Sequence, residues 1–178
     1  PPHTPGKVKV RVENPDGALS DPDGTFTYLS SPRVIAVVDP DDPAEHNRVT
    51  AISVEGGQLV KVKGSGFVNG AKVVFSPVVR KATDEELDKD DLIYINGQPY
   101  VLESGKEGTN VKYIDSETLT VTTPQGKLGT GGIIVINTDT GASEVYVDIK
   151  YGLPALAAPT GVTAELVFDR YIKVNWKG

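Results

Sequence analysis

Apolar and polar residues alternate over short runs along this chain, and glycine or proline ends most of them. Val8, Val10 and Val12 alternate with Lys7, Lys9 and Arg11, the period of two that buries one face of a β-strand. Asn14-Pro15-Asp16-Gly17 follows as a turn, and a second strand returns to Tyr28, so residues 7–28 predict a hairpin. Residues 33–38 are β-branched and stop at Asp39-Pro40. Residues 59–63 alternate and stop at Gly64-Ser65-Gly66. Residues 71–75 follow a turn at Asn69-Gly70, and residues 118–122 end before Pro124. Residues 133–137 and 144–150 form a last hairpin. Short strands broken by Gly/Pro turns predict an all-β fold, a sandwich or a barrel.

One unit occurs twice. Val10-Arg11-Val12-Glu13-Asn14-Pro15-Asp16 reads like Ile133-Ile134-Val135-Ile136-Asn137-Thr138-Asp139, and each copy leads into a strand ending in tyrosine, Tyr28 or Tyr151. Asn14 and Asn137 are 123 positions apart, as are Tyr28 and Tyr151. A repeat of this kind marks successive modules. Residues 1–31 then read as the closing strands of a preceding module, and residues 32–152 as a complete one.

Residues 79–108 break the pattern. Thr83-Asp84-Glu85-Glu86 has capping-box spacing, which predicts a short helix over 85–89. Residues 92–95 and 100–102 flank Asn96-Gly97, a strong hairpin signal. The segment reads as an insertion, a short helix plus a β-hairpin, of the sort that carries a binding function or covers a sheet edge. Residues 153–159, rich in Ala and Pro, read as a short, stiff linker. Residues 160–178 hold two more strands, with Ile172, Val174 and Trp176 on one face of the second.

Composition narrows the function. The chain has 178 residues, 38% of them apolar, with net charge −6 and a pI of about 4.9. No basic stripe is present to read a nucleic-acid backbone or an anionic membrane, so neither is expected as a partner. With no cysteine there is no disulfide, thiolate metal site or cysteine nucleophile. With no methionine the sequence reads as a piece of something longer. No apolar run approaches the roughly 20 residues of a membrane helix.

Catalytic chemistry finds little to use. The histidines are His3, near one end, and His46, in a polar stretch. Gly64-Ser65-Gly66 is better explained as a turn than as a nucleophile elbow, and no metalloprotease or phosphate-loop motif occurs. The acidic clusters Asp39/Asp41/Asp42 and Asp84–Asp91 lack the spacing of a calcium loop and read as solvated turns. The chain is therefore read as non-enzymatic, with no catalytic residue, cofactor or metal assigned. Tyr94, Tyr100 and Tyr113, in or near the insertion, are candidate ligand-binding aromatics, with packing of the small hairpin as the competing role.

The central segment resembles the IPT/TIG domain, an immunoglobulin-like β-sandwich. Pro32-Arg33-Val34-Ile35-Ala36-Val37-Val38-Asp39-Pro40 is similar to its opening strand. Gly64-Ser65-Gly66-Phe67-Val68-Asn69-Gly70-Ala71 up to Phe75 is similar to its central turn and strand, and Ser116 to Pro124 and Asn137 to Tyr151 are similar to its end. Ala158-Pro159-Thr160-Gly161-Val162 through Ile172-Lys173-Val174-Asn175-Trp176 is similar to the first strands of a fibronectin type III domain. The resemblance implies a non-catalytic structural or adhesion module of a multi-domain bacterial surface or secreted protein. Its partners would be neighbouring sandwich domains of the same chain, with polysaccharide or another surface protein as a further one. The alternative it implies is a carbohydrate- or protein-binding module that uses the insertion, accessory to a secreted glycan hydrolase. Strands at the two ends without their own sheet have exposed edges, and are expected to pair with each other or with a second chain.

Overall fold

The computed structural model describes residues 5–20, 24–153, 160–167 and 171–177. In chain order the strands are β1 (Gly6–Val10), β2 (Gly24–Tyr28), β3 (Arg33–Val38), β4 (Ala51–Ser53), β5 (Leu59–Ser65), β6 (Lys72–Lys81), β7 (Ile93–Ile95), β8 (Gln98–Glu107), β9 (Thr109–Asp115), β10 (Thr118–Thr122), β11 (Gly131–Ile136), β12 (Gly141–Ala142), β13 (Tyr146–Gly152), β14 (Thr160–Val167) and β15 (Tyr171–Lys177). The fold is all-β. Strands β3-β5-β10-β9 make one sheet, and β12-β7-β8-β6-β11-β13-β4 the other. Among the described residues, β1 pairs only with β2 and β14 only with β15. Most of the 153–159 linker lies outside the described residues.

The two large sheets face each other over one core. Val37, Val60, Val62, Leu119 and Val121 come from the four-stranded sheet. Val73, Phe75, Ile133, Val135, Ile149 and Tyr151 come from the other, and Phe67 and Ala71 from the turn between β5 and β6. Each large aliphatic or aromatic side chain buried here contributes roughly 1.5–3 kcal/mol. Phe67 is 2% exposed and is seated in the core directly after the glycine turn. The two glycines before it act differently. Gly66 has φ +71, the left-handed region glycine favours, whereas Gly64 is required by space. A Cβ on Gly64 would lie 1.9 Å from the Arg33 carbonyl oxygen and 2.5 Å from the Phe67 ring.

The segment read as an insertion is woven into the larger sheet. β6 runs on to Lys81, and β8 pairs with it from Val74↔Glu107 to Lys81↔Tyr100. The pair is broken at Ser76-Pro77, where proline cannot donate to the ladder. Ser76 takes φ +48, and Gly105 opposite takes φ +154. Beyond this bulge the strands curl away from the sandwich. β7 folds back on β8 through Asn96-Gly97, both with positive φ (51° and 76°), the type I′ signature the sequence predicts. β7 then pairs in parallel with β12, which also pairs with β11. Strands β6, β8, β7, β12 and β11 thus form a closed ring. Its interior is a second core of Val74, Ile93, Ile95, Ile134 and Ala142, with Val79, Tyr100, Leu102 and Ile136 packed against it.

The helix expected over 85–89 is a single 3₁₀ turn, Asp84–Glu86, and no α-helix forms among the described residues. The capping box forms as its spacing predicts, but the helix does not continue past it. The Glu86 carboxylate turns back to accept the Thr83 N–H (3.1 Å) and the Arg80 guanidinium (2.6 and 2.8 Å), which ties the turn to β6. The following Asp88, Asp90 and Asp91 favour turns over helix interiors, and the chain must reach buried Leu92.

Candidate functional site

A buried, densely bonded polar group lies at the loop between β11 and β12. Asn137 N–H donates to the Gly141 carbonyl (2.8 Å) and Thr140 N–H to the Asn137 carbonyl (3.0 Å), with Thr140 at φ +67. Asp139 Oδ1 accepts the Gly141 N–H at 3.0 Å. The loop so formed grips the chain that enters the sandwich. Asp139 accepts the Ser30 N–H through Oδ2 and the Ser30 hydroxyl through Oδ1, both at 2.7 Å. Asn137 Nδ2 donates to Ser30 Oγ (2.8 Å) and to the Gly66 carbonyl (2.7 Å), while its Oδ1 accepts the Val68 N–H (3.3 Å). Ser30, Asn137 and Ser143 are all under 5% exposed. Gly141 is required here, since a Cβ would lie 2.1 Å from the Ser30 carbonyl oxygen. Burial alone would raise the Asp139 carboxyl. The Ser30 hydroxyl and N–H, with the Gly141 N–H, outweigh burial and hold it below the usual carboxylate value.

The same loop is built a second time between β1 and β2. Asn14 N–H donates to the Ala18 carbonyl, Gly17 N–H to the Asn14 carbonyl and Ser20 N–H to the Val12 carbonyl, at 2.8–2.9 Å. Their counterparts 123 positions on are Asn137 to Gly141, Thr140 to Asn137 and Ser143 to Val135, at 2.8–3.0 Å. Asp16 Oδ1 accepts the Ala18 N–H as Asp139 Oδ1 accepts that of Gly141, both at 3.0 Å. The Ser20 hydroxyl accepts the Val12 N–H (2.9 Å) as that of Ser143 accepts the Val135 N–H (3.0 Å). Gly17 has φ +84 where Thr140 has +67, and the bridge Glu13↔Leu19 matches Ile136↔Ala142. The flanking strands differ by a one-residue slip: Val8 faces Phe26, whereas Gly131 faces Lys150. The loop of the repeat read in the sequence thus recurs in the structure, and its flanking strands differ in register.

The three tyrosines do not form one surface. Tyr100 lies opposite Ile93 and packs on the second core. Tyr94, opposite Pro99, alternates to the other side of its hairpin and is half-buried. Tyr113 lies on β9, at the edge of the other sheet, and is exposed. A groove of about 460 Å³ runs between Arg33 and Val34 on one side and Glu144 to Asp148 on the other. Asn96, at the tip of the inserted hairpin, joins its wall through a 2.9 Å hydrogen bond to Glu144.

The acidic clusters engage their own surroundings. Asp42 accepts the Ala44, His46 and Asn47 N–H groups, and the Asn47 bond leads in holding its pKa down. Asp39 accepts the Asp41 N–H at 2.9 Å. Glu45 bridges Lys61 and Lys63, each at 3.2 Å. Among the described residues no group of three His, Asp or Glu gathers as a metal site; His3 lies outside them. The clasp residues Ser30, Asn137, Asp139 and Ser143 were not singled out as a site by sequence. The signal was present in the paired spacing of Asn14/Asn137, Asp16/Asp139 and Ser20/Ser143.

No curated protein matches the chain. The family model for the IPT/TIG domain matches residues 47–151, most of the span from β4 to β13. Members of that family are in general non-catalytic immunoglobulin-like modules, in keeping with two sheets packed over a core closed by β11 and β13. On that match, which covers more than half of its length, the chain belongs to the IPT/TIG domain family.

Proposed function

We propose that this chain is a non-catalytic spacer and adhesion segment of a multi-domain bacterial surface or secreted protein, in which the sandwich sets the distance and angle between its neighbours. The observation that carries this reading is the clasp on Ser30. Only Leu29 separates the end of β2 at Tyr28 from the serine held by Asp139 and Asn137. A joint of one residue, with both flanking atoms bonded, leaves little room for bending. Residues 1–31 are read as closing strands of a preceding module, and residues 160–178 as the start of a fibronectin type III-like one.

The test is a distance measurement between spin labels at Lys9→Cys and Lys112→Cys, which label cleanly because the chain has no cysteine. One narrow distribution is expected, broadening in Asp139→Ala. A broad distribution in the unaltered clasp would overturn the reading. A second reading, carbohydrate or protein binding through the insertion, draws support from the groove that Asn96 helps to wall. An oligosaccharide array tests it with the full chain and with Asn96→Ala, Tyr94→Ala and Tyr113→Ala. No binding by the full chain would sink it.

A further inference from the structure

The two copies of the loop carry different strands, and the difference falls on one face. In the complete module, Ile133, Val135, Ile149 and Tyr151 line the core between the sheets. Their counterparts 123 positions earlier are Val10, Val12, Phe26 and Tyr28, all apolar or aromatic. Val10, Val12 and Phe26 are 46%, 64% and 54% exposed, so this apolar face is largely uncovered. On the opposite face, Ile134 and Ile136 serve the second core, the one the inserted hairpin encloses. Ile134 is fully buried there. Their counterparts are Arg11 and Glu13, both exposed.

We propose that β1–β2 is a docking surface for an IPT/TIG sandwich that lacks the inserted hairpin. The proposal rests on the reading of residues 1–31 as closing strands and specifies what they close. The apolar face identifies the partner as the interior of a sandwich like this one. The matched loops fix the pose: the free edge of β1 would take the place of β11, whose Ile133 to Ile136 pair with Phe75 to Lys72 on β6. The polar face excludes the insertion. In a closed ring, Arg11 would stand where Ile134 is buried, an unpaired guanidinium in an apolar interior. The module closed by β1–β2 therefore leaves that face to water. The ring around the second core is then peculiar to residues 32–152.

Three chimeras test this. In the first, residues 29–131 are joined ahead of Lys9, so that β1–β2 follows a second sandwich where β11–β13 would stand. In the second, residues 79–103 of that added sandwich are replaced by Asn-Gly. Val78 and Ser104 are cross-strand partners, so a two-residue turn joins them. The third is the first with Arg11→Ile and Glu13→Ile. Amide exchange of residues 9–28 is read by mass spectrometry or NMR. Closure is expected to slow it by about a hundredfold or more in the second and third chimeras and far less in the first. Equal protection in the first and second would overturn the exclusion of the insertion while leaving the closing-strand reading intact. No protection in any of the three would overturn both. The unmodified chain serves as the fourth arm. It should remain a monomer with residues 9–28 protected only as far as a two-stranded hairpin protects them, because β11–β13 already close each copy's sheet. Concentration-dependent protection there would make a second copy the occupant and overturn the proposal.

Discussion

Replacing Asn137 by alanine tests whether the loop after β11 is an energetic centre of the module. The side chain is 3% exposed and makes three hydrogen bonds, to Ser30 Oγ, the Gly66 carbonyl and the Val68 N–H. Ser30 Oγ keeps its bond to Asp139 in the variant. The Gly66 carbonyl and the Val68 N–H lose their side-chain partner. Leaving a buried polar group without a partner costs about 1–3 kcal/mol, and the low end applies here because Gly66 lies at the surface. The total comes to roughly 2–3 kcal/mol, against about 5–15 kcal/mol for a whole domain. At about 3–4 °C per kcal/mol for a domain of this size, Tm should fall by roughly 6–12 °C. Asn14→Ala supplies the control within the same molecule. It occupies the matching position in the same loop, but it is exposed and should cost no more than about 0.5 kcal/mol. Urea unfolding followed by circular dichroism measures both. A loss below about 0.5 kcal/mol for Asn137→Ala, or equal losses at the two positions, would refute the assignment. A double-mutant cycle with Ser30→Ala should then give a coupling of about 0.5 kcal/mol or more.

Further outcomes follow from the two cores and the clasp. Ile134→Ala, in the second core, should cost about 2–5 kcal/mol, comparable with Ile133→Ala in the first; near-neutrality in urea unfolding would mean that the inserted ring packs loosely. Gly64→Ala forces a Cβ to within 1.9 Å of the Arg33 carbonyl and should cost more than about 3 kcal/mol. Gly97→Ala meets open space and bears only its positive φ, so its thermal shift should correspond to about 1–2 kcal/mol. The Asp139 carboxyl titrates below its ordinary value in the folded state, so the unfolded chain takes up its proton first as pH falls. Its stabilisation is fully present above the unfolded value of about 4 and is lost as pH drops through the folded value. Urea midpoints measured from pH 6 to pH 2 should fall less steeply in Asp139→Asn than in the parent. Equal slopes would contradict the clasp.

Local chemistry was legible in the sequence wherever a short-range rule decides the backbone. Strands β3 and β10 fall at their expected bounds, because a β-rich run ends there one or two residues before a proline. Asn96-Gly97 makes the turn its residue types demand. β4 and β9 were not anticipated; both are edge strands, β4 only three residues long and β9 marked by Val111 and Tyr113 alone in alternation. The 3₁₀ turn was overread as a helix because capping-box spacing states how a helix begins, not how far it goes. What ends it after one turn, the run of Asp88, Asp90 and Asp91 and the reach to buried Leu92, is not stated by that spacing.

The clasp escaped notice for a related reason. Asn137 and Asp139 read as ordinary turn residues, and nothing local says that Ser30, more than a hundred positions earlier, comes back to meet them.

The second core shows what a closer reading of periodicity would have detected. Val73-Val74-Phe75 and Ile133-Ile134-Val135-Ile136 are unbroken apolar runs, whereas Val10-Arg11-Val12-Glu13 alternates strictly. An antiparallel strand with one face in water alternates; a strand covered on both faces need not. Each unbroken run therefore reports a second apolar layer on the far side of the sheet. The inserted ring supplies that layer, and Val74 and Ile134 point into it while Val73, Phe75, Ile133 and Val135 point into the sandwich. Because β6 and β11 serve both cores, the inserted segment is no detachable appendage. Removing it from residues 32–152 would expose Val74 and Ile134 side by side on paired strands, while the same deletion beside β1 would set Arg11 opposite Val74. The polar alternation of the first copy and the apolar run of the second are thus one physical statement, made twice, about which sheet is covered and which meets water.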